Sequence, residues 1–293
     1  MTYFLENDRC RVGINQHGAE LSSFVRKDLG GLEYLWQADA AVWARHAPVL
    51  FPIVGRLPED TYYHNGQAYR LPQHGFARDR EFALVQQSAD HLVFRLTDDE
   101  ASHAAYPFAF ELDISYHLVD STLHVGWRVH NPSAAQELLF SIGAHPAFRC
   151  PLLPDEQFED YAFRVDHPVQ FDQYLLAGGL LTGETEPVFS GPATELPLTY
   201  PLFERDALVL KHYDFTQITL ASARSPRAVR MKFEGFPYLG LWTKGAGAPF
   251  VCIEPWHGVA SSVGAPSELR DKEGILTLAP GRAFEASYSI SAE

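Results

Sequence analysis

The sequence is poor in cysteine and has no long apolar run. Its three cysteines, Cys10, Cys150 and Cys252, are an odd number without a C-x-x-C pair, which argues against a disulfide framework and against a zinc cluster. No stretch approaches the roughly eighteen consecutive apolar residues of a membrane-spanning helix. The first residues, MTYFLENDRC, also lack the basic start and apolar core of a signal peptide. These absences predict a cytoplasmic protein without a membrane partner.

Basic residues are also scarce. With 23 Lys and Arg against 37 Asp and Glu, the formal net charge is −14 at pH 7. Binding to nucleic acid depends on a basic surface that displaces counterions from phosphates, so we expect no nucleic-acid partner. Neutral small molecules such as sugars remain open as ligands. The hydrophobic fraction of 46% is enough for a packed core, and we expect one domain over residues 1–293.

Alternation of apolar and polar residues is the dominant pattern. Residues 110–118, FELDISYHL, place apolar side chains on one face and polar ones on the other, as in a half-buried strand. Residues 123–129, LHVGWRV, repeat the pattern after a short polar join, which predicts an antiparallel hairpin. Helical patterns are confined to Asp39–Arg45 and Asp98–Ala105. The sequence therefore predicts an all-β fold, a large antiparallel β-sandwich with a few short helices.

The segment Pro151–Pro201 is rich in proline and glycine and only weakly periodic. It keeps several aromatic residues, among them Phe158, Phe163 and Phe171, which are unusual in a solvated linker. We therefore expect long loops and short strands that wrap the sheets.

Two ionisable residues lie inside strongly apolar segments. His145 is found in LLFSIGAHPAF and Glu254 in FVCIEPWHG, and each is followed closely by a proline that interrupts strand pairing. Burial of either group without a partner costs about 1–3 kcal/mol or more, so we expect both to be hydrogen-bonded or to lie at the floor of a wet pocket. One acid and one base in the same pocket would carry out proton transfer.

Several other polar residues are weaker candidates when each is taken alone. The position of His74 is explained equally well by a hydrogen-bonded histidine in a turn and by a role in binding. For Arg56 and Arg78, ion pairs at the surface are the simplest explanation. The Gly245-Ala-Gly247 segment is followed by a predicted strand, not by the helix that a dinucleotide site requires.

Taken together, seven segments in order along the chain resemble the aldose 1-epimerases of the galactose mutarotase-like superfamily, most closely its LacX-like branch. They are HAPVLFPIVGRL, LPQHGFARDREF, YPFAFEL, FSIGAHPAF, GFPYLGLW, GAPFVCIEPWHG and KEGI. The resemblance implies a β-supersandwich that interconverts the α and β anomers of a hexose by acid/base catalysis, with no metal and no organic cofactor.

The same resemblance assigns roles to individual residues. His145 matches the catalytic acid of the family and Glu254 its catalytic base. His74 matches the second histidine of the site, Arg56 an arginine that lines it, and Asp206 an aspartate that binds sugar hydroxyls. We add Arg78 as a further substrate contact and two tryptophans as surfaces on which a sugar stacks. The predicted substrate-binding residues are thus Arg56, His74, Arg78, Asp206, Trp242 and Trp256.

Three alternatives stay open at this point. The string HGFAR is similar to the hexose-6-phosphate epimerase branch, in which Arg56 and Arg78 would bind a phosphate. A β-sandwich with exposed tryptophans is also typical of non-catalytic carbohydrate-binding modules. A glycoside hydrolase would need a second carboxylate about 5–10 Å from Glu254. Because the IEPWHG segment departs from the galactose-specific enzymes, the preferred aldose is undetermined, as is the oligomeric state.

Overall fold

The structure, a computed structural model, describes residues 1–293 and is built almost entirely from β-strands. The strands of the first half are Thr2–Glu6 (β1), Cys10–Asn15 (β2), Glu20–Arg26 (β3), Leu32–Glu33 (β4), Val49–Leu50 (β5), Thr61–His64 (β6), Gln67–Arg70 (β7), Ala83–Gln87 (β8), His91–Thr97 (β9), Glu111–Val119 (β10), Thr122–His130 (β11), Leu138–Phe140 (β12) and Ile142–Ala144 (β13).

The remaining strands are Ala147–Arg149 (β14), Tyr161–Val169 (β15), Asp172–Ala177 (β16), Leu180–Pro187 (β17), Ala193–Pro197 (β18), Leu208–Lys211 (β19), Gln217–Ser222 (β20), Ala228–Lys232 (β21), Tyr238–Trp242 (β22), Phe250–His257 (β23), Leu276–Leu278 (β24) and Ala283–Ala292 (β25). One α-helix, Glu100–Ala105 (α1), and short 3₁₀ helices at Lys27–Leu29, Pro58–Asp60, Ala77–Asp79, Phe158–Asp160, Tyr200–Phe203 and Leu269–Asp271 complete the fold. None of these helices has the length and apolar character needed to cross a membrane.

Two large sheets dominate the architecture, which confirms the predicted all-β sandwich. The nine-stranded sheet has the order β18-β15-β20-β21-β25-β11-β10-β9-β8. The eight-stranded sheet has the order β17-β16-β19-β22-β23-β13-β5, and β14 also pairs with β23. Neighbouring strands in both sheets run antiparallel. A four-stranded sheet, β1-β2-β3-β4, and two strand pairs flank them.

The predicted hairpin is present as β10 and β11, with Leu112 opposite Val129 and Ile114 opposite Trp127. These apolar side chains are buried and belong to a connected cluster of 65 core residues that runs from Leu5 to Ala292. Because alternate residues of a strand point to opposite faces, this core takes one face of each large sheet. The opposite face of the eight-stranded sheet is left to carry the site described below.

Of the two predicted helices, one is present. Asp99 caps α1 by accepting a hydrogen bond from the Ser102 backbone N–H at 2.6 Å. The prediction of a helix at Asp39–Arg45 was wrong, because the chain there forms turns only. The side chain of Asp39 accepts from the Ala41 N–H at 2.9 Å, as an N-cap does, and the Trp43 N–H bonds to the Asp39 carbonyl at 2.8 Å. The chain leaves the helical conformation after this single turn.

The expectation of long loops between Pro151 and Pro201 was also wrong in part. The segment contains four strands, of which β15 and β18 join the nine-stranded sheet and β16 and β17 the eight-stranded one. A tight turn at Gly178 and Gly179, both with positive φ, joins β16 to β17. Glycines of the kind that suggested a loop therefore form the turn of a β-hairpin here.

Candidate active site

A cavity of about 330 Å³ opens on the outer face of the eight-stranded sheet. This volume lies within the range of about 300–1,000 Å³ that is typical of small-molecule pockets. Seven of the eight predicted site residues line it: His74, Arg78, His145, Asp206, Trp242, Glu254 and Trp256. The fold thus brings together side chains that are separated by up to 182 positions in the sequence.

His145 and Glu254 meet because they occupy facing positions on neighbouring antiparallel strands. Gly143 is paired with Trp256 and Ala147 with Cys252, so the register is constant and position 145 falls opposite position 254. His145 lies in the break between β13 and β14. Its Nε2 is 3.2 Å from Oε2 of Glu254, close enough for proton exchange.

Both groups are buried at the floor of the cavity, with 2% of Glu254 and 8% of His145 exposed. Burial, reinforced by the negative charge of Asp206, raises the pKa of Glu254 well above its ordinary value. Burial, together with the positive charges of Arg78 and Arg45, lowers the pKa of His145 to about 3. Burial thus favours the uncharged form of each group, a carboxylic acid beside a neutral imidazole.

Two glycines make room for the Trp256 ring at the floor of the cavity. Gly240 of β22 faces Glu254 from the other side, and Gly143 faces Trp256. A Cβ at position 240 would lie 2.4 Å from the Trp256 ring, and a Cβ at position 143 would lie 2.5 Å from it. Trp256 is 5% exposed and its Nε1–H donates to the Ala144 carbonyl at 3.2 Å. It therefore forms part of the packed floor and offers little face for stacking.

Aromatic rings surround the imidazole of His145. Trp43 is stacked on it, with ring centroids 5.0 Å apart and an interplanar angle of 28°. Trp242 meets it edge-on at 5.5 Å and 82°, and the two tryptophans contact each other at 5.6 Å. Sequence reasoning anticipated Trp242 but missed Trp43. The available signal was a tryptophan placed in an otherwise alanine-rich turn segment, WQADAAVWARHAP.

His74 is held as a hydrogen-bond donor to the cavity. Its Nδ1 accepts the Gly55 N–H at 3.1 Å, which leaves the ring proton on Nε2. Burial and the nearby His145 lower its pKa well below the ordinary value, so the ring is neutral. Its backbone adopts φ = 69°, an uncommon conformation outside glycine that orients the side chain toward the pocket.

The rim of the cavity carries both signs of charge. Arg78 donates from Nη2 to the Gln73 carbonyl at 2.7 Å, while its buried Nε makes no hydrogen bond and lies 3.8 Å from the Asp79 carboxylate. Burial lowers the pKa of Arg78 to about 10, so it remains a cation at neutral pH. Lys244 and Gln73, which sequence reasoning did not single out, also line the cavity. Asp206 is exposed at the rim, where its Oδ1 accepts the Ala207 N–H at 2.8 Å.

Arg56 is the one predicted residue that the structure does not place in the cavity lining. Its Nε is 3.1 Å from the Asp60 carboxylate, and its Nη1 donates to the Gly178 carbonyl at 3.2 Å. These two partners hold the guanidinium at the surface, beside the turn that joins β16 and β17. Arg56 therefore anchors that turn.

Comparison with known proteins identifies the family of this chain. The family model described as aldose 1-epimerase matches residues 1–275. The chain belongs to the aldose 1-epimerase family. Two LacX proteins of Lactococcus lactis subsp. lactis, one chromosomal and one plasmid-borne, are each 33% identical to it over 99% of both chains.

Solved structures give the same result. A galactose mutarotase related enzyme from Lactobacillus acidophilus is 34% identical, with a TM-score of 0.94 over 100% of this chain and 97% of its own. A galactose mutarotase-like protein from Lactobacillus casei is 31% identical, with a TM-score of 0.93 over the whole of both chains. The galactose mutarotase-like fold expected from the resemblance is thereby confirmed.

Proposed function

We propose that this protein is an aldose 1-epimerase that interconverts the α and β anomers of a hexose. The observation that carries the proposal is the contact between His145 Nε2 and Glu254 Oε2, at 3.2 Å on the floor of a sugar-sized cavity. Anomer exchange needs one group that removes a proton and one that supplies a proton at neighbouring oxygens of the same ring. This pair offers both within a few ångströms.

In the proposed reaction, Glu254 removes the proton from the anomeric hydroxyl while His145 delivers a proton to the ring oxygen. The bond between the anomeric carbon and the ring oxygen breaks, and the open-chain aldehyde forms. Rotation about the bond beside the aldehyde carbon exposes its other face, and ring closure with reversed proton roles gives the opposite anomer. Positioned proton transfer of this kind contributes typically about 10²–10⁴-fold in rate.

The proton count of the buried pair suits this cycle. Ring opening starts from the carboxylate and the imidazolium and ends with the carboxylic acid and the neutral imidazole. The second state is the one that burial favours, because it carries no separated charge. The first state is reached by moving one proton within the pair, so no proton has to be exchanged with solvent.

Other lining residues supply the contacts that would orient the sugar. The Nε2–H of His74 is a donor for a hydroxyl oxygen, and the carboxylate of Asp206 is an acceptor for a hydroxyl proton. Trp242 is half-buried in the cavity wall and presents an apolar surface for the ring hydrogens of a sugar. Trp256 lies too deep to serve in this way.

The test is polarimetry on freshly dissolved α-glucose and α-galactose, together with saturation-transfer NMR across a panel of aldoses. The proposal expects faster anomer exchange with at least one aldose. A carbohydrate-binding module would bind sugar without a change of exchange rate. Asp206 is the only other carboxylate lining the cavity, so a glycoside hydrolase would use it beside Glu254, and release of nitrophenol from a nitrophenyl glycoside would favour that alternative.

A hexose phosphate is a second candidate substrate, and the cationic rim favours it. The Nε of Arg78 makes no hydrogen bond within the protein, and Lys244 lines the same cavity. Arg56 no longer supports this reading, because it lies outside the lining. If the substrate is phosphorylated, Arg78→Met should lower kcat/KM for hexose 6-phosphates at least tenfold and leave that for free hexoses within twofold. An equal loss of kcat/KM for phosphorylated and free hexoses would exclude a phosphate-binding role for Arg78.

A reducing, cytoplasmic location belongs to the same proposal. All three cysteines are free and buried in the structure. Proteins of oxidising compartments generally pair their cysteines in disulfides, so unpaired buried thiols support a cytoplasmic protein.

A further inference from the structure

Cys252 is a buried nucleophile that the proposed reaction does not use. It precedes Glu254 by two residues on β23, so the two side chains point to the same face of the sheet. Its neighbours across the sheet are Ala147 on one side and Trp242 on the other. The small alanine leaves the thiol next to the imidazole of His145.

The donor atoms of His145, Cys252 and Glu254 all lie within 4.8 Å of one another. We propose that these three side chains form a binding site for a thiophilic divalent cation, with Zn²⁺ as the representative ion, and that the bound cation blocks the catalytic pair. No sequence pattern indicates such a site, because the three ligands share no zinc-binding spacing.

One of the three donor separations already suits a tetrahedral zinc site. With Zn–N and Zn–O bonds of about 2.1 Å, two such ligands are about 3.4 Å apart at the tetrahedral angle. The observed separation of His145 Nε2 and Glu254 Oε2 is 3.2 Å. A Zn–S bond of about 2.3 Å places the sulfur about 3.6 Å from each of the others. The thiol of Cys252 therefore has to approach by no more than about 1.2 Å.

Charge balance and ligand type favour zinc over the harder cations. A thiolate and a carboxylate together neutralise a divalent cation, so the filled site adds no net charge to the buried floor. The thiol must be deprotonated to ligate the ion, so binding releases its proton to solvent. A sulfur ligand discriminates against Mg²⁺ and Ca²⁺, which prefer oxygen. His145 and Glu254 line the cavity, so an ion held between them can take water or a sugar hydroxyl from the cavity as a further ligand.

A cation at this position occupies Nε2 of His145 and the carboxylate of Glu254, which the proposed reaction needs free. It should therefore inhibit anomer exchange. This inhibitory consequence rests on the proposed function, whereas the binding of the cation does not.

The direct test is titration of the chelator-treated protein with Co²⁺, followed through the thiolate-to-cobalt charge-transfer absorption, and with Zn²⁺ by calorimetry. The full-length protein should bind one ion. Cys252→Ser and Cys252→Ala should each weaken binding at least tenfold and abolish the charge-transfer band. Cys150→Ser is the matched control, because Cys150 is also free and buried but has no such ligand set, and it should bind as the unmodified protein does. Near-UV circular dichroism should show that all variants are folded.

Two results would overturn the site: unchanged affinity in both Cys252 variants, or no binding to the unmodified protein up to about millimolar Co²⁺. For the inhibitory consequence, Zn²⁺ should suppress anomer exchange, a chelator should restore it, and Cys252→Ser should keep its activity while losing most of the inhibition. Inhibition that is equal in Cys252→Ser would refute the role of the thiol. If no aldose is anomerised at all, the proposed function fails while the cobalt titration still decides the metal site.

Discussion

Replacing Glu254 by glutamine should separate catalysis from stability. Glutamine has nearly the same shape as the carboxylic acid that burial favours at this position, so the cavity floor is filled as before. It cannot accept a proton from the anomeric hydroxyl. Loss of one positioned base lowers the rate by about 10²–10⁴-fold, or about 2.7–5.4 kcal/mol of barrier at 1.36 kcal/mol per decade.

The effect of Glu254→Gln on the free energy of unfolding should be small, below about 1 kcal/mol. Burial favours the neutral form of this side chain, so the substitution replaces one uncharged group by another. Replacement of one neutral polar group by another of equal volume leaves packing unchanged.

Glu156 provides a matched control with the opposite expectation. It is 3% exposed, lies outside the cavity lining, and accepts hydrogen bonds from the Tyr161 and Ser222 hydroxyls. Although burial opposes ionisation, these hydroxyls and that of Ser225 lower its pKa, so this carboxylate is charged in the folded protein. Glu156→Gln turns an amide donor toward hydroxyl donors and should cost about 1–3 kcal/mol of stability.

The assay compares initial rates of anomer exchange, measured by polarimetry at saturating sugar, with thermal denaturation of the same preparations. We expect Glu254→Gln to lose activity at nearly unchanged Tm, and Glu156→Gln to keep kcat within twofold while its Tm falls by several degrees. Retention of more than about a tenth of the rate by Glu254→Gln would refute its role as the base. A large decrease in the Tm of Glu254→Gln would contradict the conclusion that Glu254 is a neutral, well-packed carboxylic acid in the folded protein.

Three further predictions follow from the same geometry. If the singly protonated His145–Glu254 pair carries the reaction, the rate should fall as pH drops through about 3, because His145 then gains a proton. The rate should fall again as pH rises through the raised pKa of Glu254, where the pair loses its proton. A rate that is independent of pH would exclude the singly protonated pair as the active form. His74→Asn should mainly raise KM and lower kcat less than His145→Asn does, as steady-state kinetics on both variants will show, because His74 only orients the sugar. Trp43→Leu should lower kcat more than Trp43→Phe, which keeps an aromatic face on His145; equal rates in both variants would show that the stacking is irrelevant.

Much of the fold followed from local pattern. The alternation of residues 110–129 placed the β10–β11 hairpin correctly, because each strand buries one face and the two are adjacent in the chain. The helix predicted at Asp98–Ala105 is present as Glu100–Ala105, and the structure adds that Asp99 caps it. The turn at Asp39–Arg45 was mistaken for a helix because an aspartate followed by alanines suits both, and the tertiary contact of Trp43 decides between them.

The site was predicted in part, and the misses share a physical cause. His145 and Glu254 stood out because a charged group in an apolar strand is costly wherever the strand goes. Arg56 belongs to a turn through Gly178, more than a hundred residues away, and no local pattern records that contact. Cys252 likewise lies near the imidazole of His145 because of the register in which β14 pairs with β23. Contacts of this kind exist only once the sheet is assembled.

The assembled sheet also explains why the site lies where it does. Pro146 and Pro255 carry no backbone N–H, so pairing between the two strands is weakened at the level of His145 and Glu254. Gly143 and Gly240 leave the neighbouring positions without side chains, and Trp256 occupies the space beneath them. A side chain at either glycine would displace that ring and fill the floor. The cavity is thus a gap in the side-chain layer of a continuous sheet, and the two ionisable groups lie at its floor, where water is scarce and a sugar ring can reach both.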